Sequence, residues 1–268
     1  MLKDITLGQF FPGKSPIHRM DPRTKILLLI VYIVLLFVSS NWISYGCMAV
    51  FLLAAIRIST IPFKSIVRGM KPVVMILIFT GVLNLFFTTG GTVLVSFWVI
   101  TITSEGLIRA IFMMSRILML ISGTFLLTYT TSPIALTDGL ESLMKPLKKI
   151  HVPVHELSMM MCIALRFIPT LIEETDKIIS AQKARGADFE TGSLIQRAKA
   201  LVPILVPLFI SAFRRADELA TAMECRCYQG DVGRTKMKLL RYSRLDLYAF
   251  LTGTLMCVLI FTLKAFGL

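Results

Sequence analysis

Charged side chains are scarce in this 268-residue chain: they make up 17% of it, against 55% apolar residues, and the mean hydropathy is +0.75. Soluble domains carry about 25% charged and about 45–50% apolar residues, so the shortage excludes an ordinary soluble protein and makes the bilayer part of the solvent. Metal-ligating and redox residues are scarcer still, with five cysteines (47, 162, 225, 227 and 257) and three histidines (18, 151 and 155). Their spacing supports neither a disulfide framework nor a zinc site, and Cys225 and Cys227 form a lone pair with no second pair at zinc spacing. No Gly-x-x-x-x-Gly-Lys-Ser/Thr loop occurs, which excludes ATP hydrolysis of the phosphate-loop kind, and no His-Glu-x-x-His metallopeptidase pattern occurs either. His151 and His155 stand four apart with Glu156 next, but Pro153 lies between them and no third ligand is apparent, so loop and cap roles are expected. Lys3, Asp4, Pro12, Pro16 and Pro22 precede the first long apolar run; this is not the shape of a cleavable signal peptide, and the first apolar helix is expected to stay in the mature protein.

What is present is a series of apolar runs. A spanning helix needs about 20 mostly apolar residues, with about 17–25 tolerated, and residues 24–40, 42–61, 72–90, 106–130 and 247–263 meet that test. Residues 26–56 carry no charge, but Ser39-Ser40-Asn41-Trp42 interrupts them with turn formers and an interfacial aromatic, which predicts two helices joined by a tight turn. After Gly90-Gly91 the stretch 92–103 is rich in β-branched residues, consistent with a short extended excursion or a re-entrant piece.

The net charge is +13, from 29 basic and 16 acidic residues. In a soluble protein that excess would raise nucleic acid as a partner; in a membrane protein it is first a topology signal, because cytoplasmic loops collect Lys and Arg. Five basic residues precede span one, four lie between spans two and three, and 17 fall in 131–245, whereas the turn near Asn41 and the 88–104 connection hold none. With a cytoplasmic N-terminus and alternating spans, 26 of the 29 basic residues share one side. Charge thus reports orientation at the cell membrane and no nucleic-acid partner is expected. Arg109, Arg116 and Lys264 remain, and the two arginines stand seven residues apart on one face of span four with Glu105 a turn earlier. Either Glu105 and Arg109 lie in the interface while Arg116 pairs with a neighbouring helix, or the arginines meet a partner subunit.

Residues 131–245 are too charged to lie wholly in lipid, and three helices are readable there. The first follows Thr131-Ser132-Pro133, with Ser132 as N-cap and Pro133 as first helical residue, and ends near Lys148-Lys149. The second begins around Pro153 and stops at Gly186, after Lys183 and Arg185, a basic last turn followed by glycine. The third runs from about Ser193 to Tyr228, with Pro203 and Pro207 expected to kink it, and ends at Gly230. Its apolar core, 201–213, is too short for an ordinary span and suggests a helix along or under the membrane, a short hairpin of spans being the alternative. Glu173-Glu174 reads as a solvated face, and Met159-Met160-Met161 as core filling or as a surface that repacks against changing partners.

The chain resembles the transmembrane T component of energy-coupling factor transporters, the prokaryotic importers of vitamins and transition-metal ions. The resemblance is carried by Pro12-Gly13-Lys14-Ser15-Pro16-Ile17-His18-Arg19-Met20-Asp21-Pro22-Arg23-Thr24-Lys25, by Leu165-Arg166-Phe167-Ile168-Pro169, by Ala184-Arg185-Gly186-Ala187, and by Arg215-Ala216-Asp217 through Tyr228, and it covers nearly the whole chain. It implies an all-α integral membrane protein of about five spans with two long coupling helices. The implied layout is an N-terminal bundle over 1–130, a cytoplasmic coupling region over 131–245 and a last span over 246–268. It implies a non-enzymatic subunit without cofactor or metal, held in the lipid bilayer and partnered by two ATPase subunits, identical or homologous, and by a separate substrate-binding S component. In the family each coupling helix ends in an Ala-Arg-Gly triplet whose arginine docks into one ATPase. By resemblance the docking residues here are Ala184, Arg185 and Gly186, and Cys225, Arg226 and Cys227, the second triplet departing from the usual alanine and glycine flanks. The permease of a conventional ATP-driven importer and an intramembrane enzyme built on His151, His155 and Glu156 are the rival readings.

Overall fold

The computed structural model describes residues 10–39, 41–87, 93–97, 100–187, 189, 193–230 and 239–266. Among them the fold is all-α apart from one antiparallel hairpin, Val93–Phe97 (β1) with Ile100–Thr103 (β2). Of the two conformations that the β-branched stretch left open, its described residues take the extended one. The chain divides into two compact units, one of Gly8–Gly139 with Leu240–Leu268, the other within Leu140–Leu239.

The first unit opens on the Pro12–Lys25 motif, in which Ser15, His18, Asp21 and Lys25 each have a local task. Ser15 caps the short helix α1 (Pro16–Arg19), and Asp21 caps α2 (Pro22–Val38), each followed by proline at the first helical position. The His18 imidazole lies within 2.6 Å of Ser15 Oγ and 3.0 Å of the Phe11 carbonyl. Burial, opposed by that carbonyl contact and aided by the charge of Lys25, holds its pKa below the usual histidine value. A β-carbon on Gly13 would stand 2.7 Å from this ring, so only glycine lets the strand pass over it.

Two helices follow across a tight turn, α2 and α3 (Trp42–Ser59), then α4 (Phe63–Phe87), the hairpin, and α5 (Ser104–Thr130). The fourth helix starts nine residues before Pro72, earlier than the apolar run suggests, and carries that proline inside it. A core of Tyr32, Leu35, Leu36, Met48, Leu52, Ile56, Ile66, Tyr129 and Ile260 binds these helices to the last one, α9 (Arg244–Ala265). The outward faces stay apolar, for instance Met75, Phe79, Leu251 and Leu255, each more than half exposed. In water that would be an anomaly; against lipid it is the expected surface.

Five described helices are long and apolar enough to cross a membrane: Trp42–Ser59, Phe63–Phe86, Ser104–Thr130, Val154–Ala184 and Arg244–Ala265. Helix α2, with 17 residues, sits at the lower edge of the spanning range of about 17–25. Together these helices make a multi-pass membrane protein.

The N-terminal ends of α2 and α9 and the C-terminal end of α5 meet in a polar joint. Lys25 Nζ donates to the Thr130 carbonyl at 3.0 Å and to Thr131 Oγ1 at 3.1 Å, closing the C-terminal end of α5. Asp246 accepts from the Asp21 amide at 2.9 Å and from the Ser243 amide and hydroxyl at 2.7 and 2.8 Å. Arg23 adds a contact to Asp21 at 3.4 Å and donates to the Leu240 carbonyl at 2.9 Å.

Helix α6 (Pro133–Met144) begins within the first unit as its capping signal indicates, with the Ala135 amide on Ser132 Oγ, and runs into a 3₁₀ segment, Lys145–Ile150. Two 31-residue helices follow, α7 (Val154–Ala184) and α8 (Leu194–Glu224). Ser193 and Gln196 form a capping box at the start of α8, which continues through Pro203 and Pro207.

Candidate functional site

Helices α7 and α8 pack antiparallel. Glu174 accepts from Ser211 Oγ and from Arg215 Nη2, the latter at 2.8 Å, and eight residues further along α7 Gln182 Nε2 reaches the Pro203 carbonyl at 3.4 Å. As α7 advances, its partners on α8 step backwards. Glu174 is thus a clasp between the two long helices and not part of a solvated face, which corrects the sequence reading for this residue; Glu173 is exposed as expected. The clasp was missed because its partners lie 37 and 41 residues away and leave no trace in the local pattern. Arg215, within one of the motifs, was the available hint.

A double-mutant cycle on Glu174→Gln and Arg215→Met measures the clasp. For a partly exposed ion pair joined by one hydrogen bond the expected coupling is about 0.5–1 kcal/mol, read from thermal unfolding of the purified chain. A coupling energy near zero would make the contact incidental.

The two sequence-predicted triplets stand at the C-terminal ends of these helices, and their backbones match residue for residue. At the end of α7 the Gly186 amide bonds the Lys183 carbonyl at 3.0 Å and the Ala187 amide bonds the Gln182 carbonyl at 3.0 Å. At the end of α8 the Cys227 amide bonds the Glu224 carbonyl at 2.8 Å and the Tyr228 amide bonds the Met223 carbonyl at 3.1 Å. Both are the reverse turn that closes a helix with one left-handed residue: Gly186 at φ +85° and Cys227 at φ +56°. The third triplet position is the left-handed one in both, which explains why glycine suits it. A β-carbon there costs about 1–2 kcal/mol, and Cys227 carries that cost.

Ala184, Arg185 and Gly186 are exposed, and so are Cys225, Arg226 and Cys227. Neither arginine has an acidic partner among the described residues. Each lies 11 residues beyond the clasp, Arg185 past Glu174 and Arg226 past Arg215. With a rise of about 1.5 Å per residue and antiparallel helices, the two guanidiniums point out at opposite ends of the pair, on the order of 30 Å apart. Between them α8 shows an apolar stripe of Val202, Val206, Phe209, Ile210 and Phe213, all at least half exposed, while Ile204 on its other side is buried. On α7 Met160 and Met161 are about half exposed, so the methionine run is a surface feature.

The histidine pair does not build a metal site. His151 is the left-handed residue closing the 3₁₀ segment, whereas His155 turns to Glu141, its Nδ1 3.4 Å from Oε1. Among the described residues no three His, Cys, Asp or Glu side chains converge. The cysteines of the second triplet are free thiols.

The first unit contains an apolar cavity of about 510 Å³, lined by residues such as Leu28, Tyr32, Phe51, Leu126, Tyr248 and Leu255. Its lining suits hydrocarbon better than a hydrated ion or a polar vitamin.

The family described as cobalt transport protein matches residues 13–238. An energy-coupling factor transporter transmembrane protein of Thermosediminibacter oceani is 56% identical over 257 residues, 96% of this chain and 97% of its own length. The chain belongs to this transporter family. The T-component relative of Clostridium kluyveri is 56% identical over 260 residues, 96% of both chains. That of Bacillus subtilis is 43% identical over 265 residues, 99% of this chain and all of the relative. As an energy-coupling factor transmembrane component this chain is a transporter membrane subunit, which favours that reading over an intramembrane enzyme built on His151, His155 and Glu156.

Proposed function

We propose that this T component is the scaffold through which two ATPase subunits drive a separate substrate-binding S component, importing a vitamin or a transition-metal ion. Arg185 docks one ATPase and Arg226 the other, with Ala184, Gly186, Cys225 and Cys227 as the small neighbours that let a partner surface approach. The observation that carries this reading is the shared helix-end turn at the two triplets, which presents twice a guanidinium with no acidic partner among the described residues. A guanidinium keeps its charge at all working pH values and bonds carboxylates in pairs, so it anchors a helix end rigidly to an acidic groove.

On this reading the N-terminus, the 3₁₀ segment and both long helices are cytoplasmic, and α7 serves as a coupling helix in spite of its spanning length. The placement of 26 of 29 basic residues on one side supports that orientation. The exposed stripe of α8 and the methionines of α7 cover the S component. ATP-driven closure of the ATPases changes the angle between the clasped helices, and the apolar faces pass the movement on.

Proteoliposomes holding this chain, two ATPase subunits and an S component should take up the S component's substrate only when ATP is supplied on the ATPase side. Uptake that persists when this chain is left out would sink the proposal.

A further inference from the structure

Arg116 lies inside α5, and its surroundings identify what it faces. Its Nε donates to Tyr45 Oη at 2.8 Å, and its guanidinium carbon stands 5.4 Å over the Phe37 ring and 5.9 Å over that of Tyr45. Phe112, one turn earlier on α5, packs on Trp42 at 4.5 Å and on Tyr45 at 4.9 Å between ring centres. Phe37 is the last residue but one of α2, and Trp42 and Tyr45 form the first turn of α3. The guanidinium therefore stands at the level of the α2–α3 turn, within a ring of aromatics of the kind that gathers where hydrocarbon meets headgroups.

Only one of the five N–H donors of Arg116 has a partner among the described residues, and no carboxylate there pairs with it. Its neighbour Arg109 differs: it is exposed and has Glu105 at 3.5 Å. An unpaired cation at this depth draws in an anion, since leaving it bare is costly. Beside it, Phe37, Trp42, Ile43 and Val34 are all about half exposed, an outward apolar surface of the sort lipid tails cover.

We propose that Arg116, held by Tyr45 and framed by Phe37, Trp42 and Phe112, binds the phosphate of a phospholipid in the leaflet that contains the α2–α3 turn. The planar guanidinium offers its two terminal nitrogens to two phosphate oxygens, a pairing that an ammonium does not reproduce. Tyr45 fixes the plane of the fork by occupying Nε. The rings supply a cation–π cradle and contact the glycerol and upper acyl carbons. This site rests on the membrane placement of the helices alone and is independent of the ATPase docking proposed above.

The test is phospholipid retention by the full-length chain, purified in a mild detergent and counted by native mass spectrometry at matched lipid-to-detergent ratios. Wild type should retain one phospholipid that Arg116→Gln binds about tenfold more weakly, the scale of a lost hydrogen bond to a charged group. Tyr45→Phe keeps the charge and should lose less, and Arg109→Gln should bind as wild type does. Inorganic phosphate at millimolar concentration should leave the lipid in place. Equal retention by wild type and Arg116→Gln, or displacement by inorganic phosphate, overturns the proposal. So does loss of a co-purified protein subunit in Arg116→Gln with lipid unchanged, which would place a partner's carboxylate at the site.

Discussion

Arg185→Glu is expected to leave one ATPase subunit bound to the purified assembly in place of two, Arg226→Glu to leave the other, and the double variant to leave none. Truncating one side of a desolvated, hydrogen-bonded charge pair costs about 2–5 kcal/mol, and reversal adds repulsion. At 1.4 kcal/mol per decade, the affinity of the affected ATPase falls by about 30-fold to several thousand-fold. Because the guanidiniums point out at opposite ends of the clasped pair, neither can substitute for the other, and stoichiometry is the decisive reading. ATP-driven uptake should vanish in either single variant, since closing one ATPase against nothing does no work on the helices. Arg214→Glu is an exposed charge reversal part-way along α8, remote from both helix ends, and should leave both ATPases bound. If Arg185→Glu and Arg226→Glu each retain two ATPases and full uptake, the docking assignment is wrong.

The elements behind that prediction differ in how openly the sequence announces them. The end of α7 was legible because capping is local, with Lys183 in the last turn and the left-handed Gly186 just beyond it; α8 ends at Glu224, short of the Tyr228 expected from its sequence, and has no basic residue in its last turn. Ser132 with Pro133 announced the start of α6 because that cap is local too, and α8 begins after Ser193 as expected. What stayed hidden depends on partners distant in the chain. Glu174 looks like a surface acid until α8 folds back on α7, and the early start of α4 is masked by Lys64, Arg68 and Lys71 ahead of Pro72. The exposure of the α8 stripe was foreshadowed by a run of 13 apolar residues, too short to span a bilayer and too long for a solvent-facing helix. The identity of the two helix ends was invisible in the residues themselves, because the second triplet replaces glycine by Cys227, and only the backbone shows it occupying the same left-handed position.

The Asp21–Lys25 segment gives the second prediction. Lys25 and Asp246 are almost fully buried, with 7% and 1% of their surface exposed, and Asp21 is at 6%. The ammonium closes the end of α5 while facing the field of two carboxylates that cap α2 and α9. Lys25→Met keeps the stem and its packing but removes the cation, so Thr130 loses a donor to its carbonyl and two buried carboxylates lose the charge that offsets them. Removing one partner from such an arrangement costs about 3–5 kcal/mol. For a chain of this size that corresponds to a fall of about 6–20 °C in the temperature at which the purified protein ceases to be monodisperse. The electrostatic origin has its own check. Asn at position 246 can still accept from the Asp21 amide but carries no charge, so Asp246→Asn should recover part of the loss when combined with Lys25→Met, although alone it destabilises. If the two losses simply add, the joint is a set of separate hydrogen bonds. Partial recovery would mean that three span ends are held by one shared charge balance, which ties the first residues of the bundle to the helix that begins more than 200 residues later.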